Sequence, residues 1–392
     1  MKIGFDISLS FGERTGCGFF TYQLMRSLIK NDKKNQYTLY PAFYLTIPKY
    51  KNLLKMRIGN LPWNFKKHFN YLNPFRYLQT RLRWFFLKNT ELKITKWLGS
   101  PDIIHSNSFT CFKNHDSKII FTLYDVVPLS CPETVHEETW MACSQGLINA
   151  SLYADYCIAI SEYTKKTFLQ YFPYYPSERI KVVPLAVRDQ IHKIESQQTI
   201  NSVLKKYDIP EKFWFSSGTV EPRKNYGMLI DAYAKSNPSF PLIIAGGKGW
   251  KQSSLPEKIK KMGLQDKIRF LGYVSDEELS ALYSSCYAFI YPSIYEGFGL
   301  PILEAMYCGA AVICSNSSSM PEVGGDAVLY IDPFSLESLT HTIKKLDGNE
   351  SLRNTLKSAG LERSKLFSWD RVAAKVMESY EEVSKLSFYT LG

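Results

Sequence analysis

The feature that most constrains this chain is an alternation that begins twice. Residues 1–7 have strand character, and a glycine-containing loop at 12–18 leads into a helical stretch with Phe20, Leu24 and Leu28 on one face. Residues 101–105, 118–123 and 156–160 are three further short apolar runs. Strands separated by helices predict a parallel sheet with crossover helices. From Arg188 to about residue 204 the pattern yields to a polar bridge containing Gln190, Glu195, Gln197 and Asn201, read as a linker. It then restarts, with strands at 213–217, 241–245, 268–271, 288–291 and 311–314, a helix at 226–235 and another from Pro301. The expected architecture is α/β: two doubly wound, Rossmann-like domains facing across a cleft lined by the carboxyl ends of their strands. A length of 392 residues suits two domains of about 150 residues or a little more.

Composition excludes several classes. Hydrophobic residues at 45% and charged residues at 22% rule out a largely disordered or fibrous chain. No uninterrupted apolar run reaches the length of about 18 residues that a spanning helix needs. The opening Met1-Lys2-Ile3-Gly4-Phe5-Asp6 reads as a strand and lacks the apolar core of a signal peptide. Eight cysteines with no CxxC pair suggest reduced packing thiols in a cytoplasmic protein. No His/Cys/Asp cluster has metal-ligand spacing, so no metal is expected. Forty-eight basic against 37 acidic residues give +11, which favours phosphate-bearing partners: nucleic acid, anionic lipid or a phosphorylated small molecule.

One region, about 49–98, departs from the alternation. Its single acidic residue, Glu91, stands against twelve lysines and arginines interleaved with tryptophans and phenylalanines. Arg81-Leu82-Arg83-Trp84-Phe85-Phe86-Leu87-Lys88 fits an amphipathic helix on an anionic membrane surface, or a helix whose apolar side is core. Isolated histidines such as His68, His105 and His136 are expected to be structural.

Two segments could carry chemistry. In Ser216-Ser217-Gly218-Thr219-Val220-Glu221-Pro222-Arg223-Lys224-Asn225 a strand ends, a glycine turns the chain, two cations follow and a helix begins. That is either an anion site, through backbone N–H groups and full positive charge, or a solvated basic turn. It is not a GxxxxGK[ST] loop. The second segment is Tyr291-Pro292-Ser293-Ile294-Tyr295-Glu296-Gly297-Phe298-Gly299-Leu300-Pro301-Ile302-Leu303-Glu304. Gly297 and Gly299 permit close backbone approach, and Pro301 suits a first helical turn. Glu304, expected in that opening turn, could accept two hydrogen bonds from a vicinal diol such as a ribose, or simply complement the helix dipole. Glu296 could meet further hydroxyls, or be a surface acid.

Together the two segments resemble the C-terminal signature of family 4 glycosyltransferases of GT-B fold. Two glutamates with seven residues between them match Glu296 and Glu304, and the phosphate-binding lysine matches Lys224. Ala245-Gly246-Gly247, Phe270-Leu271-Gly272-Tyr273-Val274-Ser275 and Pro321-Glu322-Val323-Gly324 fall in the family's order, and Thr15-Gly16-Cys17-Gly18, Tyr124-Asp125 and Ser161-Glu162 extend the likeness to the N-terminal half. The Glu-Pro-Arg-Lys-Asn string looks most like the O-antigen mannosyltransferase branch. This resemblance implies an acceptor-binding domain over 1–195, a nucleotide-sugar-binding domain over 196–370, and a terminal helix over 371–392 that returns to the first domain.

It also implies a retaining, metal-independent hexosyl transfer from a nucleotide sugar (GDP-mannose or a UDP-sugar) to a glycan or lipid-linked glycan, at the inner face of the cytoplasmic membrane. By this likeness Glu304 holds the ribose, while Lys224 and Arg223 neutralise the diphosphate. Glu296 with Gly297, Phe298, Gly299 and Leu300 positions the sugar. Tyr273 and Val274 flank the base, and Gly16, Gly18, Gly218 and Thr219 approach the phosphates. Asp125 orients a hydroxyl. Two positions depart from the pattern. Thr219 stands where many members have arginine, which leaves Arg223 as the second cation. Tyr124 stands where His is common, and it cannot change charge near neutral pH.

Other classes predict other behaviour. A nucleotide-sugar epimerase on the same fold would form its epimer from donor alone. A nucleic-acid binder is suggested by charge only, and no nucleic-acid motif is present. A dinucleotide oxidoreductase is disfavoured because Gly16-Cys17-Gly18-Phe19-Phe20-Thr21 lacks the third glycine.

Overall fold

A computed structural model of the chain describes residues 1–10, 16–40, 69–71, 95, 98–247, 249–250 and 254–389. The helix read at 81–88 and nearly all of the basic aromatic region lie outside the described residues. The first sheet contains β1 (Lys2–Asp6), β2 (Gln36–Tyr40), β3 (Phe69–Tyr71), β4 (Ile103–Ser106), β5 (Lys118–Leu123), β6 (Tyr156–Ala159) and β7 (Ile180–Val182). Their order is β3-β2-β1-β4-β5-β6-β7. The second contains β8 (Trp214–Ser217), β9 (Leu242–Ala245), β10 (Ile268–Gly272), β11 (Ala288–Tyr291), β12 (Val312–Ser315) and β13 (Leu329–Ile331), in the order β10-β9-β8-β11-β12-β13.

Every pairing among the described residues is parallel. Helices cover both faces of such sheets, so the central strands are apolar throughout rather than alternating. Strands β4, β6, β8, β9, β11 and β12 are buried along their whole length. In each sheet the order reverses beside the first strand, at β1/β4 and β8/β11, and the crevice outside those carboxyl ends is where ligands bind.

The polar bridge is not a plain linker. Its second half is a helix, Gln197–Lys206, whose first turn is capped by the Ser196 hydroxyl accepting from the Thr199 N–H at 3.3 Å. Ile200, Val203 and Leu204 bury one stripe while Gln197, Gln198 and Asn201 face water. The stripe follows helical spacing, but the polar composition hides it.

The closing helix, Trp369–Lys385, buries Val372, Val376, Tyr380 and Val383. Each such apolar side chain contributes roughly 1.5–3 kcal/mol. This helix packs on the helix Gly16–Asn31, whose Phe20, Leu24 and Leu28 are buried, so the chain ends against the first sheet. His105 is enclosed there, its Nδ1 paired with the Tyr380 hydroxyl at 2.7 Å and its Nε2 with the Thr122 hydroxyl at 3.0 Å. Burial pulls this imidazole down to about 3, so it is neutral and structural.

Candidate active site

A cleft of about 560 Å³ opens between the carboxyl ends of the two sheets. Its floor is built by glycines. Gly218, at the end of β8, has φ +139°, and Gly246, at the end of β9, has φ +157°. A Cβ on Gly246 would lie 1.9 Å from the Gly218 carbonyl oxygen, so no larger residue lets these turns meet. A short 3-10 turn, Pro222–Lys224, follows, and left-handed Asn225 starts the helix Tyr226–Ser236. This path brings Arg223 and Lys224 into the cleft.

Both cations meet Glu296, which is 8% exposed. Its Oε1 accepts from Lys224 Nζ at 2.6 Å, Arg223 Nη1 at 2.8 Å, the Ser293 hydroxyl at 2.6 Å and the Tyr291 hydroxyl at 2.8 Å. Burial opposes its ionisation, but Arg223, Lys224 and the hydrogen bonds outweigh that and hold the carboxyl at about 2. Burial, reinforced by Arg223, pulls the Lys224 ammonium below its ordinary value, against Glu296 and Glu221. Lys224 also donates to the Tyr291 hydroxyl at 2.6 Å, which commits two of its three donors and leaves one for a ligand. Arg223 further donates to Glu221 Oε1 at 2.5 Å and to the Tyr295 carbonyl at 2.6 Å.

The next residue joins the two domains. A Cβ on Gly297 would lie 2.1 Å from the Tyr124 carbonyl oxygen and 2.8 Å from the Asp125 Cβ. The Ser161 hydroxyl donates to the Gly297 carbonyl at 2.7 Å. Glu322, from the second domain, accepts the N–H groups of Glu162 and Tyr163 at 2.8 and 2.7 Å, at the start of the helix Glu162–Tyr171. Gly299, at φ +102°, precedes the helix Leu300–Tyr307. Glu304 therefore lies one turn into that helix, not in its opening turn, and is 2% exposed.

Sequence reading missed the partner of Glu304. Arg188, read as the start of a linker, is 9% exposed. Its Nε and Nη2 donate to the two oxygens of Glu304 at 2.6 and 3.2 Å, and its Nη1 donates to Asp276 Oδ1 at 2.8 Å. The available signal was its place directly after the apolar run Val182-Val183-Pro184-Leu185-Ala186-Val187.

Of the residues singled out from sequence, Gly16, Tyr124, Asp125, Gly218, Thr219, Arg223, Lys224, Tyr273, Val274, Glu296, Gly297, Phe298, Gly299, Leu300 and Glu304 all line this one cleft. Gly18 does not: the helix begins at Gly16, and Gly18 is buried within it. Tyr273 stands at the rim, 80% exposed. The Tyr124 hydroxyl donates to the Asn107 carbonyl at 2.9 Å and lies 3.1 Å from the Thr21 hydroxyl, so it is committed to the first domain's interior. The Asp125 carboxylate accepts the Val127 N–H at 3.1 Å; burial pushes its pKa up, and Arg223 pulls against that. Among the described residues no cluster of three or more His, Cys, Asp or Glu side chains could hold a metal ion, and no helix is long and apolar enough to cross a membrane.

Such a cleft, lined by paired cations and buried carboxylates from loops at the ends of two parallel sheets, defines a two-domain α/β protein with one site between its domains. Residues 199–363 match the family described as Glycosyl transferases group 1, and residues 33–190 match Glycosyltransferase Family 4. The O-antigen chain mannosyltransferase B of Escherichia coli is 33% identical over 269 residues, 67% of this chain and 70% of that protein. The serotype-specific mannosyltransferase WbdA of Escherichia coli is 30% identical over 313 residues, 74% of this chain but 38% of that longer protein. Among solved structures, Anabaena HepE in complex with UDP and glucose superposes with a TM-score of 0.71 at 19% identity, covering 97% of this chain and all of that one. WaaG, a glycosyltransferase involved in lipopolysaccharide biosynthesis, gives 0.64 at 13% identity, covering 96% of this chain and 99% of that one. The chain belongs to the family 4 glycosyltransferases, and its fold is the GT-B arrangement expected from sequence.

Proposed function

We propose that this glycosyltransferase moves a hexose, with retention of anomeric configuration and without a metal ion, from a nucleoside-diphosphate donor to a hydroxyl of a glycan or lipid-linked glycan in surface polysaccharide assembly. GDP-mannose is the favoured donor, because mannosyltransferases of O-antigen chains are among its relatives. The observation that carries the reading is the meeting of Lys224 and Arg223 with Glu296 in the cleft that also holds Glu304.

Departure of the nucleotide gathers negative charge on phosphate oxygens while the sugar becomes cationic at its anomeric carbon. Lys224 and Arg223, fixed before reaction, stabilise the first charge at no cost of reorganisation. Glu304 takes the ribose hydroxyls. All four donors to Glu296 reach Oε1, so Oε2 serves the departing sugar. Asp125 orients the incoming hydroxyl, whose proton passes to a phosphate oxygen on the same face. The contacts of Gly297 with Tyr124 and Ser161 close the cleft and keep water out. The protein acts in the cytoplasm, with its basic aromatic region against the anionic inner face of the membrane. Neutralising Arg76, Arg81, Arg83 and Lys88 should abolish co-flotation with anionic vesicles.

The test is a thermal-shift panel of nucleoside diphosphates and nucleotide sugars, followed by NMR of the product's anomeric centre in the presence of chelator. A ligand at about a hundred times its dissociation constant stabilises by about 2.7 kcal/mol. No shift with any nucleotide would sink the reading, and epimerised donor without transfer would replace it with the epimerase alternative.

A further inference from the structure

We infer that Arg188 is a positioning residue for pentose recognition: it holds the Glu304 carboxylate so that the cleft distinguishes ribose from deoxyribose. This rests on the assignment of Glu304 to the ribose made above.

Arg188 lies between the two sheets, and each of its three nitrogens has a job. Nε and Nη2 grip both oxygens of Glu304, while Nη1 is tied to Asp276, the first residue of the helix Asp276–Ser285. The guanidinium also sits over the Phe19 ring, 4.5 Å from its centroid, on the wall contributed by the first domain. Contacts on three sides fix the plane of the fork, and the fork fixes the plane of the carboxylate.

The consequence is chemical. A carboxylate as enclosed as that of Glu304 is costly to leave without a charged partner. Arg188 supplies the charge and engages one lone pair on each oxygen. Oε1 keeps a second accepting position, and on Oε2 the second position is met only by the Tyr283 hydroxyl at 3.5 Å, a proton that Tyr283 can direct instead to the Ser217 hydroxyl at 2.8 Å when a ligand arrives. Two adjacent positions on one rigid carboxylate match two adjacent hydroxyls. A 2′-deoxyribose fills one and leaves the other unsatisfied in a site shielded from water, and a lysine, with a single ammonium, cannot span both oxygens and Asp276.

The opposite role for the same contacts is that Arg188 occupies Glu304 in place of the sugar and must be displaced. Calorimetric titration of the 392-residue chain with GDP, UDP and their 2′-deoxy counterparts separates the two. The unaltered protein should prefer the ribonucleotide by roughly ten- to a hundredfold, the range expected for a hydrogen bond to a charged group. In Arg188→Gln the ribonucleotide should bind about tenfold more weakly or worse, and the preference should shrink to about twofold or less. Arg188→Lys, a second variant should the first fail to fold, should lose the preference likewise.

The preference is a ratio measured within one folded protein, so a general loss of stability does not move it. Retention of the preference in either folded variant, or tighter ribonucleotide binding, overturns the inference. Glu304→Gln separates that failure from a deeper one. If Glu304→Gln keeps the preference, the ribose assignment itself is wrong. If it loses the preference while the Arg188 variants keep it, only the role of Arg188 falls. Binding of neither GDP nor UDP overturns both.

Discussion

Glu296 and Glu304 are both buried acids facing cations in one cleft, yet their pockets are built differently. The Glu296 pocket is local to the second domain: its donors come from Arg223 and Lys224 beyond β8 and from Tyr291 and Ser293 at the end of β11. The Glu304 pocket is assembled across the molecule, with Arg188 from the connection between the sheets and Phe19 from the first domain behind it. A pocket made from neighbouring loops of one sheet is written in short motifs. A pocket closed by a distant residue is written only in the fold.

Lys224→Ala removes a fixed cation from the phosphates and should lower kcat by about 10²–10³ with a smaller effect on KM, checked by steady-state kinetics. Gly297→Ala comes next. Its new Cβ cannot coexist with the Tyr124 carbonyl at 2.1 Å, so the domains must part. Turnover should drop about tenfold to a hundredfold, as expected for ångström-scale misplacement, while nucleotide binding to the second domain survives.

The third sharpens the contrast through pH. Glu296 is held at about 2, below the ordinary carboxylate value, so its ionised form adds stability that is fully present above about pH 4.3 and is lost as pH falls through about 2. Glu296→Gln should therefore flatten the acid limb of the melting temperature in that window, as calorimetry would show. The smallest effect is a control touching neither pocket. Tyr380→Phe leaves His105 Nδ1 without its partner and should cost about 1 kcal/mol in denaturant unfolding with unchanged kinetics.

Much of this was legible in the sequence for a physical reason. Parallel strands buried on both faces are continuous apolar runs, so β4, β5, β6, β8, β9, β11 and β12 were found within a residue or two of their ends. The glycines and charges of the Glu296 pocket sit together in the chain because backbone approach and charge are needed at the same turns. Arg188 was not legible, since a buried cation and a solvated one look alike until the structure supplies Glu304. The helix Gln197–Lys206 was concealed by its wet face. Gly18 was placed on the cleft by the family likeness and by reading 12–18 as a loop, whereas the helix has already begun at Gly16. The direction of the Tyr124 hydroxyl was decided by Asn107 and Thr21, both far from it in sequence.

The terminal helix has one last consequence. Because the polypeptide returns to the unit where it started, the second unit is tethered by two passages of backbone, and the Trp369 indole N–H bonds the Val187 carbonyl at 2.7 Å, pinning those passages side by side. A body suspended from two adjacent straps can rock about the line joining them but cannot twist freely. Any relative movement of the two units would therefore be confined to a single swing, and Arg188 sits one residue from the strap at Val187.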